Sequence, residues 1–155
     1  MADRYPQLEL DNQLCFALYA ASRAVVRAYG PLLAESGLTY PQYVTMMALW
    51  EEPSAAPTVG ELGARLHLDS GTLTPLLKRL EQSGLVRRHR DPADERRVLV
   101  ELTEQGLGLR RVVAEVPVSL AQQLELTADE AVQLLGQLHH LVETLSPAAE
   151  PSTPG

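Results

Sequence analysis

The chain has 155 residues, 45% of them hydrophobic, and a net charge of −7. This length fits one domain or one subunit of a dimer. The single cysteine, Cys15, excludes an intramolecular disulfide framework, and the chain has no CxxC motif for zinc or redox chemistry. The N-terminus is acidic and polar, unlike a signal peptide, and no apolar run approaches membrane-spanning length. We therefore expect a soluble cytoplasmic protein that makes no contact with a membrane.

Charge is distributed unevenly along the chain. Residues 76–97 contain seven Lys or Arg and four acidic residues, whereas the remainder contains six basic and sixteen acidic residues. A basic face on an acidic body can present one side of a protein to DNA phosphates. The overall negative charge therefore does not argue against nucleic-acid binding.

The first predicted helix surrounds the cysteine. Its apolar side chains recur at helical spacing, namely Leu14, Leu18, Ala21 and Val25. Asp11 stands where the N-cap of this helix is expected. Other apolar residues lie off the stripe, and a helix that is apolar most of the way round is buried. In so small a chain, this pattern indicates burial against a second subunit.

The segments that follow are also predicted to be helical. Gly30-Pro31 is expected to interrupt the first helix, and a short helical piece then ends at Gly37. Pro41 opens a second helix that runs to Trp50. Residues 53–57 form a linker.

Two short helices joined by a tight turn are predicted between residues 58 and 83. The capping box Thr58-x-x-Glu61 begins the first helix. The second helix carries leucines at i, i+3, i+4 and i+7, from Leu73 to Leu80. Pro75 is tolerated only near a helix start, so one interpretation is a late first turn with Thr74 as its cap. This arrangement predicts a helix-turn-helix.

A basic hairpin is predicted after the helix-turn-helix. Residues 85–90 and 96–102 read as strands, and the Pro-containing segment 91–95 is a turn. Arginines cluster on this hairpin, at positions where one can enter a narrow minor groove. Asp94 is either a turn residue or the group that holds the Arg96 guanidinium. A helix-turn-helix followed by a basic hairpin predicts a winged helix.

The predicted DNA-binding side chains come from both parts of the winged helix. The leucine face of the second helix packs inward, so its polar side chains must point elsewhere, toward phosphates and base edges. The candidates on the helix are Ser70, Thr72, Thr74, Lys78, Arg79 and Gln82, and those on the wing are Arg88, Arg90, Asp94, Arg96 and Arg97.

The C-terminal third is predicted to form two long helices. Thr103 caps a helix that runs to about Leu124 and is kinked by Pro117. A second capping box, Thr127-x-x-Glu130, begins an amphipathic helix whose leucine stripe is expected to join the first helix in a subunit interface. The predicted fold is mostly α with a small β wing, a winged helix-turn-helix in a helical homodimer.

The predicted organisation has four parts. Residues 1–57 are N-terminal dimerisation helices with the cysteine, and 58–102 are the DNA-binding winged helix-turn-helix. Residues 103–146 are C-terminal dimerisation helices, and 147–155 are a disordered tail.

Cys15 lies in the aromatic part of the chain, since the single Phe, the single Trp and all five Tyr lie between Tyr5 and Trp50. One interpretation is a small buried hydrophobe. The other is a reactive thiol, because phenols such as that of Tyr19, at i+4, donate hydrogen bonds to a thiolate without neutralising it. Tyr29, Tyr40 and Tyr43 can come from the same or a partner subunit.

No cofactor or metal site is expected. His139, His140 and Glu143 provide too few ligands for a metal site, and the chain has no glycine-rich phosphate loop, nucleophile elbow or HExxH motif.

From about residue 8 to 146 the chain resembles the MarR family of dimeric bacterial transcription regulators. The order of helices, helix-turn-helix, wing and two further helices is general to that family. Four segments resemble its OhrR-type branch of organic hydroperoxide sensors more specifically: residues 10–16 (LDNQLCF), 39–43 (TYPQY), 68–75 (LDSGTLTP) and 94–96 (DER).

The resemblance implies a mechanism. In that branch the reduced dimer represses a peroxidase gene, organic hydroperoxide oxidises the N-terminal cysteine to a sulfenic acid, and the dimer leaves its pseudo-palindromic operator. Carried over by position, Cys15 is the sensor, Tyr29 and Tyr40 hydrogen-bond it across the dimer interface, and Tyr19 lies near the same pocket. The chain has no second, resolving cysteine. It would be the one-cysteine type, whose oxidation ends with a low-molecular-weight thiol or with over-oxidation.

Two other functions compete with the redox-responsive repressor. A MarR-type regulator released by a small phenolic ligand would leave Cys15 as a structural residue. A one-cysteine thiol peroxidase would explain Cys15 and its tyrosines but not the basic winged helix, so we expect a protein that is not an enzyme.

Overall fold

The computed structural model describes residues 5–146, and the predicted tail at 147–155 lies outside the described residues. The described residues fall into two compact units, which are divided between Leu120 and Ala121. The described residues confirm the predicted mostly helical fold with a small β wing. No described helix is long and apolar enough to cross a membrane. The main elements are α1 (Leu14–Leu33), α2 (Tyr40–Glu51), α3 (Val59–Leu66), α4 (Ser70–Gln82), β1 (Val86–Asp91), β2 (Asp94–Leu102), α5 (Glu104–Gly108), α6 (Arg110–Val113), α7 (Val116–Gln123) and α8 (Ala128–Leu145).

Helix α1 begins later than its predicted cap. Gln13 is the N-cap residue and makes no side-chain capping bond, whereas Asp11 lies in a short 3-10 helix ahead of it. The predicted N-cap at Asp11 is therefore wrong. Because α1 starts at Leu14, the thiol of Cys15 lies in its first turn.

The predicted interruption of α1 at Gly30-Pro31 is also wrong, since α1 continues to Leu33. Proline removes one backbone hydrogen bond, but here it does so in the last turn of the helix. Leu33 is buried in the core at 1% exposure, which helps to hold this turn in place. A 3-10 turn then ends at Gly37, whose φ of 69° is the left-handed conformation that glycine tolerates.

Side-chain caps fix the starts of α2 and α3. The box at α3 is confirmed, because the Thr58 hydroxyl accepts from the Glu61 backbone and the Glu61 carboxylate accepts from the Thr58 backbone. A second box, unexpected from the sequence, begins α2, where the Gln42 side chain accepts from the Thr39 backbone at 2.9 Å. Pro41 therefore lies just inside α2.

Helix α4 begins earlier than the late start considered from the sequence. Asp69 is its N-cap and accepts from the Thr72 backbone at 2.9 Å, so the helix runs from Ser70. The interpretation of Thr74 as the cap is wrong, and Pro75 lies within the helix. The Asp69 cap satisfies the first turn, and four buried leucines anchor the helix on either side of the proline.

The core of the first unit joins α2 to the winged helix. The indole N–H of Trp50 donates to the carbonyl of Gly106 at 2.9 Å. A Cβ at Gly106 would lie 2.0 Å from the carbonyl of Leu85, so glycine permits α5 to pack closely on the start of the hairpin. The buried core comprises Leu33, Leu38, Tyr43, Met46, Leu49, Leu62, Leu73, Leu76, Leu77, Leu80, Leu85, Val86, Val100, Val113 and Val116.

The wing is a two-stranded antiparallel hairpin. Val86 pairs with Leu102 and Arg90 with Val98, and the register shifts after Arg90, where the turn begins. The backbone N–H of Val100 also donates to the carbonyl of Pro57 at 2.9 Å, which ties the hairpin to the segment before α3.

The single long helix predicted after Thr103 is instead three short helices, α5, α6 and α7. The Thr103 cap is confirmed, since its hydroxyl accepts from the Gly106 backbone at 3.0 Å. Two glycines in α5 lower helix propensity, and Pro117 lacks the N–H that would continue the backbone bonds into α7. Pro117 thus marks a helix start rather than a kink.

In the second unit, α8 begins at the predicted capping box. The Glu130 carboxylate accepts from the Thr127 backbone at 2.8 Å, and the Thr127 hydroxyl accepts from the Glu130 backbone at 3.3 Å. No residue of α8 is buried. Its exposed apolar side chains include Val132, Leu134, Leu135, Leu138, Val142 and Leu145.

Candidate DNA-binding surface and thiol site

Helix α4 has one buried and one exposed face. The leucine face is covered, with Leu73 and Leu77 at 0% exposure. The opposite face carries the predicted DNA-binding residues, all exposed, which are Ser70, Thr72, Thr74, Lys78, Arg79 and Gln82. Hydroxyls near the helix start and cations farther along are suited to base edges and phosphates when a helix enters the major groove.

The hydroxyl of Thr72 is already engaged at the start of α4. It donates to the Asp69 carboxylate at 3.0 Å, and the Asp69 carboxylate also accepts from the Thr72 backbone. These bonds lower the pKa of Asp69, the backbone bond most. The Thr72 hydroxyl can therefore still accept a hydrogen bond, while its proton is used within the chain.

The wing tip presents one strongly exposed arginine. The Arg96 side chain is 91% exposed, and its Nε donates to the Asp94 carboxylate at 3.1 Å while Nη2 donates to the other oxygen at 3.2 Å. The bonds from Arg96 lower the pKa of Asp94. The contact considered from the sequence is thus present, and the use of Arg96 on DNA stays a prediction. Beside it, Arg90 donates to the backbone carbonyl of Glu95.

Two other wing arginines face the protein itself. Arg88 donates to Glu81 of α4, with Nη2 at 2.7 Å from the carboxylate, and its side chain is only 23% exposed. Arg97 lies 3.6 Å from Asp91 and 3.9 Å from Glu61. The sequence indicated a basic cluster but not these partners, because the pairings with Glu81 and Glu61 depend on how the hairpin packs on α4 and α3.

Cys15 is exposed near the start of α1, and its nearest phenol in sequence is one turn on. The hydroxyl of Tyr19 accepts from Arg23 Nη1 at 3.0 Å, and the Arg23 guanidinium lies 5.5 Å from the Tyr19 ring centroid. Arg23 was not singled out from the sequence, although its spacing of four residues from Tyr19 was a usable signal. Since the Tyr19 oxygen already accepts from Arg23, its own proton is available to an acceptor such as a thiolate.

Tyr29 and Tyr40 lie together at the other end of α1. Their ring centroids are 4.6 Å apart, and Tyr43 lies 5.6 Å from Tyr29. Burial raises the pKa of Tyr29, and Tyr40 and Tyr43 act in the same direction, so its phenol stays a protonated donor. Tyr29 lies fourteen positions after Cys15 along α1, which corresponds to a rise of about 21 Å. One chain therefore does not bring this pair to its own cysteine.

An apolar cleft of about 410 Å³ lies beside this region. Tyr43, Met47 and Trp50 form one wall, and Arg110 and Arg111 bring two cations to its rim. Among residues 5–146 no group of three His, Cys, Asp or Glu side chains is placed to hold a metal ion.

The fold and these surfaces define a winged-helix DNA-binding protein. Residues 27–110 match the sequence model of the transcriptional regulator SarA/Rot family. The organic hydroperoxide resistance transcriptional regulator of Bacillus subtilis is 43% identical over 145 residues, which cover 94% of this chain and 97% of that protein. The regulator TtmR of Methylorubrum extorquens is 52% identical over 136 residues, covering 88% and 69%.

A solved structure is also similar. Reduced AbfR bound to DNA, a protein of Staphylococcus epidermidis, has a TM-score of 0.74 and 39% identity over 90% of this chain and 96% of that one. The chain belongs to the MarR family of transcriptional regulators and, within it, to the branch of organic hydroperoxide regulators.

Proposed function

We propose that this protein is a dimeric repressor that holds a pseudo-palindromic operator while Cys15 is reduced and releases it when an organic hydroperoxide oxidises Cys15. The observation that carries the proposal is an exposed thiol in the first turn of α1, with a hydrogen-bonded phenol one turn away, on a chain that also carries a winged helix. The family to which the chain belongs supports it.

The proposed oxidation needs only the thiolate and the peroxide. The sulfur of Cys15 attacks the terminal oxygen of the hydroperoxide, an S–O bond forms, the O–O bond breaks, and the leaving alkoxide takes a proton to become an alcohol. Sulfur is oxidised by two electrons and becomes a sulfenic acid. The chain has no other cysteine, so a low-molecular-weight thiol would condense with the sulfenic acid and release water.

The dimer is supported by two unpartnered apolar surfaces. On α1, Leu14 is 69% exposed and Tyr19 58%, and on α8, Leu145 is 72% exposed. Such surfaces are covered in stable proteins, and a second copy of the chain is the partner that symmetry makes simplest. In that dimer, Tyr29 and Tyr40 would serve the cysteine of the other subunit.

DNA binding would use the two winged helices of the dimer. Helix α4 would enter the major groove of each half-site, with Ser70, Thr74, Lys78 and Arg79 toward the DNA, and the exposed Arg96 would reach the minor groove. The half-sites would lie about 10 base pairs apart. An oxidised cysteine at the subunit interface would change the spacing of the two winged helices and release the operator.

As a regulator of gene expression, the protein would work in the cytoplasm and would not turn over peroxide. Steady-state peroxide consumption with excess small thiol distinguishes this from a peroxidase. The expected result is a burst of one equivalent consumed per protomer, followed by slow consumption limited by exchange of the mixed disulfide with the small thiol, whereas a peroxidase would sustain the rate of the burst.

The apolar cleft favours one second candidate, a repressor released by a small phenolic ligand. Its wall of Tyr43, Met47 and Trp50 suits an aromatic ring, and Arg110 or Arg111 could pair with an ionised substituent. In this case release would not need Cys15.

The deciding experiment compares the parent protein with Cys15→Ser. Both are bound to a duplex that the parent selects from a random library, and an organic hydroperoxide is titrated in. The parent should release DNA and Cys15→Ser should not, although it binds the duplex equally well. Equal release from both proteins would overturn the proposal, whereas release of both by a phenolic compound alone would favour the second candidate.

A further inference from the structure

The carboxylate of Glu81, near the end of α4, accepts three hydrogen bonds from Arg88 of β1. The Arg88 backbone N–H lies 2.8 Å from Oε1, and Nε and Nη2 lie 3.0 and 2.7 Å from Oε2. The side chains are 23% exposed for Arg88 and 33% for Glu81. This geometry fixes both the backbone and the guanidinium of Arg88 against the recognition helix.

The pair connects the two parts of the winged helix that would read DNA. Glu81 is on α4, whose exposed face carries Lys78 and Arg79, and Arg88 is on the strand whose hairpin ends near Arg96. Among the described residues, the other long-range ion pair of the hairpin joins Arg97 to α3, at the looser distance of 3.9 Å. The Glu81–Arg88 pair is therefore the charged link between α4 and the wing in the part of the chain described.

The pair persists near neutral pH because both groups stay charged. The side-chain hydrogen bond from Arg88 lowers the pKa of Glu81, and the backbone bond from Arg88 acts the same way. An arginine stays protonated throughout the accessible range. Partial burial also reduces screening by salt compared with a fully exposed pair.

We propose that Glu81 is a positioning residue for operator recognition, which sets the distance and angle between the recognition helix and the Arg96 tip of the wing. Arg88 then has a bracing role, which means that it holds the wing against α4 through Glu81. It does not contact DNA, in contrast to the sequence prediction for Arg88. The inference rests on the proposed DNA-binding function.

Removal of the Glu81 charge tests the proposal, because two explanations of its role predict opposite changes in DNA affinity. Glu81 is an acid beside a DNA-binding surface, so removal of its charge should strengthen binding if only the phosphate field matters. If Glu81 positions the wing, the same removal should weaken binding. In Glu81→Gln the amide oxygen can still accept from the Arg88 backbone, while the ionic bonds to the guanidinium are lost.

The experiment measures affinity for the duplex selected by the parent, at one salt concentration, for Glu81→Gln and a matched control. The control is Glu95→Gln on the exposed wing tip, where the contact with Arg90 uses the backbone carbonyl and is kept. We expect Glu81→Gln to bind about tenfold more weakly and Glu95→Gln to bind as tightly as the parent or slightly more tightly. Equal or tighter binding by Glu81→Gln would overturn the inference.

A double substitution tests whether Glu81 acts through the wing. In an Arg96→Ala background, Glu81→Gln should cost about twofold or less, because the group it positions is gone. A cost that is the same in both backgrounds would show that Glu81 does not act through Arg96, and would also overturn the inference. If Arg96→Ala and the parent bind DNA equally, the proposed DNA-binding surface fails instead.

Arg88→Lys keeps the inference testable if Glu81→Gln does not fold. Lysine retains the positive charge but loses the planar fork that bonds Oε2 twice. Weakened binding of this variant, with its thermal stability close to that of the parent, is the expected result. Binding equal to that of the parent would make Arg88 a simple cation and would contradict the bracing role.

Discussion

The winged-helix region and the helices α1 and α8 bury their apolar side chains to very different degrees. Helix α4 buries four leucines within its own chain, whereas α1 buries only Leu33 and α8 buries none. The DNA-reading part is thus complete in one protomer, and the other two helices are not. Since Cys15 lies on α1, the thiol belongs to the incomplete part. In the proposed mechanism, a chemical change there acts on the arrangement of the two winged helices of the dimer without altering either of them.

The largest effect on dimer stability and operator binding is expected from a charge introduced among the exposed apolar side chains of α8. Leu135→Glu would place a carboxylate in the proposed dimer interface, where its desolvation costs several kcal/mol. We expect the dimer dissociation constant to rise by about 100-fold or more and operator binding to be lost with it. Sedimentation at micromolar concentration measures the mass. Gln137→Glu, on the opposite side of α8, is the control, and a Leu135→Glu dimer as stable as the parent would contradict the interface.

The next largest effect is on operator affinity and is expected at the wing of the winged helix. Arg96→Ala should weaken operator binding by about 10- to 100-fold, because each good arginine contact in a groove contributes about 1–3 kcal/mol. Asp94→Asn should have a smaller effect, since it only frees a guanidinium that Asp94 now holds. Fluorescence anisotropy at constant salt measures both. Parent-like affinity of Arg96→Ala would remove the wing tip from the DNA surface.

A moderate effect on the rate of Cys15 oxidation is expected at two tyrosines, Tyr29 of α1 and Tyr40 of α2. Tyr29→Phe and Tyr40→Phe each remove a hydroxyl and keep packing volume. A lost hydrogen bond to the thiolate or its oxidised product should slow oxidation of Cys15 by about tenfold, with DNA binding unchanged. The neighbouring Tyr43→Phe, 2% exposed within the core, is the matched control. Identical oxidation rates in all three variants would reduce Tyr29 and Tyr40 to packing residues.

The smallest expected effect is a pH dependence of thermal stability, which arises from a histidine on the wing. His89 Nε2 lies 3.0 Å from Glu101, and this bond raises the pKa of His89. A raised folded-state pKa stabilises the protein fully below the unfolded value of about 6.5, and that stabilisation is lost as pH rises through the folded pKa. The pair is solvent-exposed, so the change is small. The melting temperature of the parent should exceed that of His89→Gln more at pH 5.5 than at pH 8.5. A difference that is independent of pH would contradict this.

Local signals in the sequence predicted the structure well. The capping boxes at Thr58 and Thr127 were predicted correctly because all the bonds of a box lie within four residues. The effects of Pro31, Pro75 and Pro117 were misjudged. Proline lowers helix stability, but the buried Leu33 of α1 and the four buried leucines of α4 outweighed that penalty at the first two, and Pro117 lies at the start of α7.

The parts of the site that the sequence did not predict depend on distant contacts. The direction of Arg88 is set by Glu81, seven positions earlier and on the other side of a turn, so a pattern of basic residues could not distinguish a brace from a DNA contact. The closeness of Tyr29 and Tyr40 depends on how α1 packs against α2. The position of either tyrosine relative to Cys15 depends on a second chain, which no pattern within one chain can supply.

Oxidation of Cys15 and release of the operator are best measured together, in one sample. Operator-bound protein is titrated with an organic hydroperoxide, bound DNA is followed by anisotropy, and the oxidised fraction of Cys15 is read by intact mass from the same aliquots. We expect release to follow the gain of oxygen or of one small thiol on Cys15 across the titration. We also expect reduction with excess dithiol to restore binding to protein that has not been over-oxidised. Full oxidation of Cys15 with the operator still bound, or release while Cys15 remains reduced, would contradict the proposed mechanism.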